Sequence, residues 1–296
     1  MENFNYDTAF FRNRGFISLG EQKKLKASRV AIAGLGGTGG AQVAALSRLG
    51  IGSFNLADLD EYELKNFNRQ YGATMQTIGK KKTTVAKQIV HGINPEADVK
   101  TFDTGIQADN IEQFLEGVDV VIDSLDFYCF KERFSLYSAA RNKGLWVMTA
   151  PPLGFGFTLL CFDPQGMTFE DYFNFSPSDT EFELSVALIA GIAPSAYLFK
   201  YLNQSGIDID NHQLPSVSPA PFIIAGVIAT NACNILLRKV KPVSVPTVIQ
   251  YDALLQVYKK HKFIFGMKGP LQRIKKMNLR SKLLNAASKN SSSSTV

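Results

Sequence analysis

A short apolar run that ends in a cluster of glycines constrains the fold of this chain more than any other feature. Residues 29–34, RVAIAG, are typical of a buried β-strand, and the glycine-rich turn GLGGTGG occupies residues 34–40. The residues that follow, AQVAALSRLG, have the apolar spacing of a helix that closes at Gly50. A strand, a glycine turn and a helix in this order predict the first unit of a doubly wound parallel sheet.

The same alternation continues along the first half of the chain. Further strands are predicted at residues 53–58, 97–103, 119–126 and 145–150, with helical segments between them. Beyond residue 150 we expect a strand at 154–162, helices at 182–203 and 219–239, and one last strand within 245–258. The fold class predicted is therefore α/β: a Rossmann-like, doubly wound, mostly parallel sheet with a C-terminal antiparallel extension and helices.

The length of 296 residues suits one large domain followed by a tail. We expect residues 1–267 to form that domain, with a nucleotide-binding half up to about residue 150 and a substrate and dimer half beyond it. Residues 268–296 contain seven Lys and Arg, no Asp or Glu, and a run of serines. The sequence predicts a basic, disordered tail, which is either simply solvated or lies against anionic lipid, RNA or an acidic partner. Without this tail the charge is nearly balanced, which argues against nucleic-acid binding by the domain.

Cysteine usage and hydropathy indicate a cytoplasmic protein without a membrane span. The three cysteines, Cys129, Cys161 and Cys233, form no CxxC pair, so we expect no zinc and no disulfide framework. Each is predicted to be a small core residue. The uncharged stretch 213–237 carries prolines at its start, and its apolar run falls short of a bilayer span, so a core helix is expected.

The glycine turn predicts contact with a phosphate. Gly34, Gly36 and Gly39 fit the pattern GxGxxG, in which a bare backbone approaches a phosphate at the N-terminus of a helix. Asp58 ends the second strand, at a spacing suited to a ribose diol. These features serve NAD and ATP equally well and leave that choice open.

A polar constellation after the second strand favours ATP. It consists of Asp58, Asp60, Asn66, Arg69, Gln70 and Lys82. Fixed cations such as Arg69 and Lys82 stabilise the charge that develops on phosphate oxygens when pyrophosphate departs. Asp126 ends the fourth strand, at the sheet edge where ligands bind, and a carboxylate there suits Mg²⁺.

The motifs GLGGTGG, LADLDEYELKNFNRQ, GKKK at residues 79–82 and VVIDSLD together resemble the adenylating domain of ubiquitin-activating-type enzymes. That family includes the bacterial ThiF, MoeB and HesA proteins and the related tRNA threonylcarbamoyladenosine dehydratase. The resemblance is strong over residues 12–150 and diffuse to about residue 258. It implies that ATP and Mg²⁺ activate a carboxylate of a protein, a peptide or a modified tRNA base as an acyl-adenylate.

Carried over by position, the resemblance gives each motif residue a role. Gly34, Gly36, Gly37 and Gly39 contact phosphates and Asp58 the ribose. Asn66, Arg69 and Lys82 contact the triphosphate, and Asp126 holds Mg²⁺. Family members are usually homodimers in which an N-terminal arginine reaches the partner's ATP, so Arg12, with Arg14 as the alternative, is predicted to be catalytic.

Three departures from the family pattern keep other functions open. The zinc-binding CxxC pairs are missing, Phe127 follows Asp126 where asparagine is usual, and residues 163–232 contain no cysteine to carry a thioester. His91, His212 and His261 stand alone and are not expected to bind metal. An NAD(P)-dependent oxidoreductase and a catalytically silent scaffold remain the alternatives to an adenylating enzyme.

Overall fold

The computed structural model describes residues 3–176, 178–203 and 215–293. Its centre is a nine-stranded sheet whose first five strands run parallel, in the order β3-β2-β1-β4-β5. They are β1 (Arg29–Ala33), β2 (Ser53–Ala57), β3 (Asp98–Phe102), β4 (Val120–Asp123) and β5 (Trp146–Thr149). Ala31 lies opposite Asn55 of β2 on one side and Val121 of β4 on the other. The predicted doubly wound sheet is confirmed.

The second half of the chain extends this sheet with antiparallel strands. They are β6 (Pro152–Leu153), β7 (Gly156–Phe162), β8 (Thr247–Asp252) and β9 (Val257–Lys262). Strand β7 pairs with β5, β8 with β7, and β9 with β8. The single last strand predicted within 245–258 was wrong, because β8 and β9 form a hairpin. The residues of β9, VYKKHK, carry four polar side chains and lack the apolar alternation that marks a half-buried strand.

Helices cover both faces of the sheet. Strand β1 alternates its side chains between them: Val30 and Ile32 face one layer, Ala31 and Ala33 the other. The first layer contains α2 (Leu19–Ala27), α3 (Gly37–Arg48), α4 (Lys82–Ile93) and α9 (Pro219–Leu237). The second contains α5 (Ile111–Phe114), α6 (Phe130–Asn142), α7 (Phe169–Phe173) and α8 (Glu181–Ile192). A short helix α1 (Tyr6–Ala9) and a 3₁₀ turn (Phe11–Asn13) precede these layers.

Two helix predictions in the second half need correction. The helix expected at 182–203 ends at Ile192, because Ala193 leaves helical geometry just before Pro194. A separate 3₁₀ turn covers Tyr197–Lys200. The basic segment expected to be disordered forms helix α10 (Pro270–Ser293). The ammonium group of Lys275 donates to the carbonyls of Ala190 and Pro194 at the end of α8, at 3.3 and 3.2 Å, which fixes α10 to the domain.

Helix α9 has the length and apolar composition of a membrane span, the one such helix among the described residues. Its inner side chains, including Ile224, Ile228 and Ala232, are buried against α3 and the sheet. This is the packing expected of a core helix. Its outer side chains, Phe222, Gly226 and Thr230, are exposed.

Candidate functional site

The glycine turn between β1 and α3 contains two glycines that the fold itself requires. Gly34 has a φ of +89°, and a Cβ atom there would lie 2.3 Å from the carbonyl oxygen of Ser124. A Cβ atom on Gly39 would lie 1.9 Å from the carbonyl oxygen of Gly34. Any side chain at these two positions would collide with backbone, so both residues hold the turn against the loop after β4.

Gly36 and Gly37 differ, because the fold leaves space beside both. A Cβ atom on Gly36 would have only the Nε2 of Gln70 within 4 Å, at 3.9 Å. One on Gly37 would meet side-chain carbons of Arg69 and Pro221 at 3.8 Å or more. Gly36 has a φ of −70° and a ψ of −137°, outside the helical and extended regions. Packing does not require glycine at either position, so an open cradle lies at the N-terminus of α3, where phosphates bind.

Asp58, at the end of β2, fastens the glycine turn. One carboxylate oxygen accepts a hydrogen bond from the backbone N–H of Leu35 at 2.6 Å, and the other accepts from that of Asp60 at 2.8 Å. Burial raises the pKa of Asp58, while Lys82 and these two N–H groups act to lower it. The carboxylate lies where β2 reaches the turn, the position of a ribose ligand in this type of fold.

Lys82 begins α4 and is almost completely buried. Its ammonium nitrogen lies 2.7 Å from a carboxylate oxygen of Asp60 and 3.9 Å from one of Asp58. Its backbone N–H also donates to the carbonyl of Asp60. The sequence suggested that Asp60 contacts the nucleotide; here this carboxylate holds the lysine.

The segment between Asp60 and α4 contains three more predicted residues, of which Arg69 and Gln70 border the cradle. Asn66 is buried, and its amide oxygen accepts from the backbone N–H of Glu63, which shapes the 3₁₀ turn Leu64–Asn66. The stem of Arg69 borders Gly37, and its exposed guanidinium donates to the carbonyl of Lys65. Gln70 is buried, yet its Oε1 has no hydrogen-bond partner among the described residues. A buried acceptor without a donor is costly, so this oxygen is available to accept a hydrogen bond from a ligand or a water molecule.

Asp126 lies on the loop after β4 and is exposed. Two residues earlier, Ser124 presses its carbonyl against Gly34, so this loop and the glycine turn are neighbours. Phe127, in the position where the family usually has asparagine, packs its ring against Tyr128 and Phe130. The backbone around Asp126 is thus held by packing on one side and by the glycine turn on the other.

A buried ionic network beneath this loop was missed by the sequence reasoning. Asp123 and Arg133 are 2% and 7% exposed, and the guanidinium Nε donates to the Asp123 carboxylate at 3.0 Å. The same guanidinium donates to the carbonyls of Leu125 at 2.6 Å and Phe127 at 3.0 Å, the two residues that flank Asp126. The Tyr137 hydroxyl donates to the same carboxylate. An acid inside the apolar strand VVID was the available signal, because a buried carboxylate needs a partner.

The predicted site residues therefore border the glycine turn from different sides. Arg69 contacts the region of Gly37, Lys82 reaches Leu35 through Asp58, and the Asp126 loop lies against Gly34. Arg12 does not join them within its own chain. It is exposed beside Asn13, whose amide donates to the carbonyl of Leu49 at the far end of α3, about 18 Å along a helix of 12 residues.

Among the described residues, two cavities differ in their position relative to this arrangement. One of about 190 Å³ adjoins the cradle and is lined by Phe67, Arg69, Gln70, Tyr71 and Phe222 among others. A second, of about 220 Å³, is lined by Arg141, Leu145 and Pro164. It lies at the end of α6 and the start of β5, which is the amino-terminal edge of the parallel strands. Ligands of such sheets bind at the opposite, carboxyl-terminal edge. We therefore assign no role in the site to the larger cavity.

The cysteines and histidines offer little chemistry. Cys161 is fully buried, and burial raises the pKa of its thiol to about 12; the pKa of Cys129 is raised to about 11 for the same reason. Cys233 is half-buried, with a pKa also raised by burial. Over the described ranges no three His, Cys, Asp or Glu side chains gather as metal ligands. His91 contacts the carbonyl of Ala97, His261 stacks on Phe263, and His212 lies outside the described residues.

A parallel sheet in the order 3-2-1-4-5, with a glycine-rich turn after its first strand, defines a fold of the Rossmann class, in which nucleotides commonly bind at this turn. The model of the ThiF family matches residues 10–265, and the chain belongs to that family.

Curated relatives match part of the chain. The chain is 37% identical over 123 residues to tRNA threonylcarbamoyladenosine dehydratase of Bacillus subtilis, covering 41% of this chain and 48% of the relative. It is 31% identical over 148 residues to the sulfur carrier protein ThiS adenylyltransferase of Escherichia coli, covering 50% and 58%. The chain thus matches about half the length of these relatives.

Solved structures match over more of the chain but at lower identity. The structure of Escherichia coli MccB with ATP superposes with a TM-score of 0.64, at 20% identity, over 90% of this chain and 72% of MccB. PaaA superposes with a TM-score of 0.62, at 21% identity, over 82% of this chain and 66% of PaaA. These matches establish the shared fold.

Proposed function

We propose that this chain is an enzyme that uses ATP and Mg²⁺ to adenylate a carboxylate. One observation carries the proposal: Gly36 and Gly37 border an open cradle at the N-terminus of α3, with Arg69 and Gln70 on its rim. Backbone N–H groups at a helix N-terminus bind phosphate, and a neighbouring guanidinium matches phosphate geometry. The family and the names of its members agree with this reading.

The proposed step joins one acceptor oxygen to the nucleotide. A carboxylate oxygen attacks the α-phosphorus, the bond between the α- and β-phosphates breaks, and pyrophosphate leaves with the electron pair. Arg69 and Lys82 stabilise the charge that develops on the phosphate oxygens, and Asp58 binds the ribose. Asp126 would hold Mg²⁺, which would neutralise charge on the triphosphate. A single carboxylate suits this ion, because Mg²⁺ takes most of its ligands from phosphates and water.

The acceptor carboxylate belongs to a protein or peptide terminus or to a modified tRNA base. The relatives named above include a tRNA dehydratase and an adenylyltransferase for a sulfur carrier protein, and one MccB structure contains a peptide derived from MccA. Residues 163–232 lack cysteine, and the thiol of Cys161 is buried. We therefore propose that the reaction stops at the acyl-adenylate, which an outside nucleophile then captures.

We also propose that the enzyme is a cytoplasmic homodimer in which Arg12 acts on the partner's ATP. Helix α9 supports the dimer, because it presents Phe222, Gly226 and Thr230 to solvent next to the cradle. Arg12 lies far from the cradle of its own chain, so only another copy could use it there. Two subunits related by a twofold axis would exchange this residue reciprocally.

The proposed reaction predicts exchange of radioactive pyrophosphate into ATP in the presence of Mg²⁺ and a carboxylate acceptor. The acceptors to test are synthetic peptides with a free C-terminal carboxylate, the same peptides as C-terminal amides, and tRNA. Changing Arg69 to alanine is expected to reduce exchange by about 10²-fold or more, because a cation at the phosphates is lost.

The exposed neighbour Lys65, which pairs with Glu63, provides the control: Lys65→Ala is expected to keep normal exchange. Exchange that is equally fast with the amides or without any acceptor contradicts carboxylate activation. Binding of NADH, detected by its fluorescence, together with absent exchange would favour an oxidoreductase.

Mixing two inactive variants tests the role of Arg12. In a heterodimer of Arg12→Ala and Lys82→Ala subunits, one site keeps its own Lys82 and receives an intact arginine from the partner. Random reassociation should therefore restore activity at about a quarter of all sites. If Arg12 acts within its own chain, mixing the two variants restores no activity. If Arg14→Ala is inactive and Arg12→Ala is active, the role belongs to Arg14.

A further inference from the structure

Where the side chains of helix α10 are described, at residues 270–283, the helix contacts the domain through one face. Lys275 donates to carbonyls at the end of α8, and Leu279 packs against the core. Burial lowers the pKa of the Lys275 ammonium, and it also lowers that of Lys276 on the same face. Lys268, just before the helix, pairs with Asp171 of α7 at 2.8 Å. These contacts orient the helix, so its opposite face points away from the protein.

The opposite face carries an apolar stripe. Leu271, Ile274 and Met277 follow one another at intervals of three residues and are 75%, 56% and 69% exposed. At 100° per residue Ile274 and Met277 lie on the side of the helix away from Lys275 and Leu279. Leu271 lies one turn before Lys275, at the border of this side, and is exposed there. Ile264 and Phe265, just before the helix, are also exposed. Consecutive exposed apolar side chains of this size mark an interaction surface.

Cations border the stripe on both flanks. On a helical projection Arg273 and Arg280 lie along one flank and Lys282 along the other. The whole segment 257–283, from β9 to the middle of α10, contains nine Lys and Arg and no Asp or Glu. The partner of this surface must therefore be both anionic and able to accept aliphatic side chains.

We propose that the outward face of α10 is a docking surface for an anionic lipid bilayer. A basic helix with an apolar stripe lies in the plane of a membrane interface, with its aliphatic side chains among the acyl chains and its cations at the headgroups. The attachment to α8 favours a flat partner, because a protein groove that encloses a helix would need the face already committed to the domain. Nucleic acid fits less well, because a phosphate backbone gains nothing from aliphatic contacts and single strands are bound by aromatic stacking.

Sedimentation of the full chain with lipid vesicles tests this surface. Vesicles of phosphatidylcholine alone are compared with vesicles that contain about one third phosphatidylglycerol. We expect binding to the anionic vesicles only, weakening as salt is added. The double variant Ile274→Glu/Met277→Glu should lower the partition coefficient at least about tenfold, and Arg273→Gln/Arg280→Gln should weaken binding in the same direction.

The control variant is Leu254→Glu. Leu254 is an exposed apolar residue in the turn between β8 and β9, at the opposite end of the hairpin from Lys262. This substitution should leave vesicle binding unchanged. The Ile274→Glu/Met277→Glu variant should keep wild-type thermal stability and wild-type pyrophosphate exchange, so this test stands apart from the proposed catalysis. Absent or charge-independent binding of the wild-type chain overturns the proposal. The proposal is also overturned if the Ile274→Glu/Met277→Glu variant binds anionic vesicles as well as the wild type does. Loss of tRNA binding or a changed oligomeric state in that variant would then assign the surface to tRNA or to a second copy of the chain.

Discussion

Replacing Lys82 with methionine is expected to lower pyrophosphate exchange by about 10³-fold while the domain still folds. Methionine keeps much of the buried length of the side chain and removes the charge next to Asp58 and the glycine turn. A preorganised cation at a buried phosphate site stabilises the transition state far more than the bound substrate. The measurement is exchange at saturating ATP, paired with ATP binding by calorimetry. We expect the loss to appear mainly in kcat.

Its neighbour Lys81 is a matched control. This lysine is half-exposed and pairs with Asp103 at 3.4 Å, so Lys81→Met should change exchange by less than about twofold. A thermal unfolding measurement separates loss of chemistry from loss of fold, because Asp58 retains the N–H groups of Leu35 and Asp60 in the variant. Near-normal exchange by Lys82→Met would remove the lysine from the mechanism and leave it as a partner of Asp60.

Local pattern predicted the parallel half of the sheet and the position of the glycine turn between β1 and α3. The geometry of the strand, glycine turn and helix at residues 29–50 follows from local sequence. Gly34 and Gly39 approach neighbouring backbone too closely for a side chain, and Gly36 and Gly37 leave open space. The pairing of Lys82 with Asp60 was beyond such reasoning. These residues are 22 positions apart, and only the return of the chain from the 3₁₀ turn to α4 brings them together.

Two of the three errors in the predicted fold have a common physical cause, because tertiary contacts determined strand β9 and the attachment of helix α10. Strand β9 is polar, and it joins the sheet because it pairs with β8 along the length from Thr247 to Asp252. Helix α10 has few features of an independent helix, and its attachment depends on Lys275 contacting carbonyls some 80 residues earlier in the chain. Sequence periodicity reports neither kind of contact.

Changing Arg133 to methionine is expected to destabilise the domain by about 3–5 kcal/mol, since it strands a buried carboxylate. Asp123 is 2% exposed and would keep only the Tyr137 hydroxyl and the N–H of Leu125. Such a change is a large part of the total stability of a domain, commonly about 5–15 kcal/mol. Denaturant unfolding gives its size, and a decrease in melting temperature of about 10 °C should accompany it.

The same variant should also alter the loop that carries Asp126, because Arg133 holds the carbonyls on both sides of that residue. We therefore expect Arg133→Met to need a higher Mg²⁺ concentration for half-maximal exchange than the wild type does. The measurement is made at low temperature, where the variant remains folded.

The control for the stability loss is Arg141→Met, on the exposed end of α6. Its guanidinium donates only to the carbonyl of Gly166 among the bonds described, so this change should cost less than about 1 kcal/mol. Adding Asp123→Asn to Arg133→Met should recover part of the lost stability, because it removes the unpaired charge. If the stability losses of the single variants Asp123→Asn and Arg133→Met simply add in the double variant, the buried pair is not the source of the stability. The packing of Phe127 must then hold the loop instead.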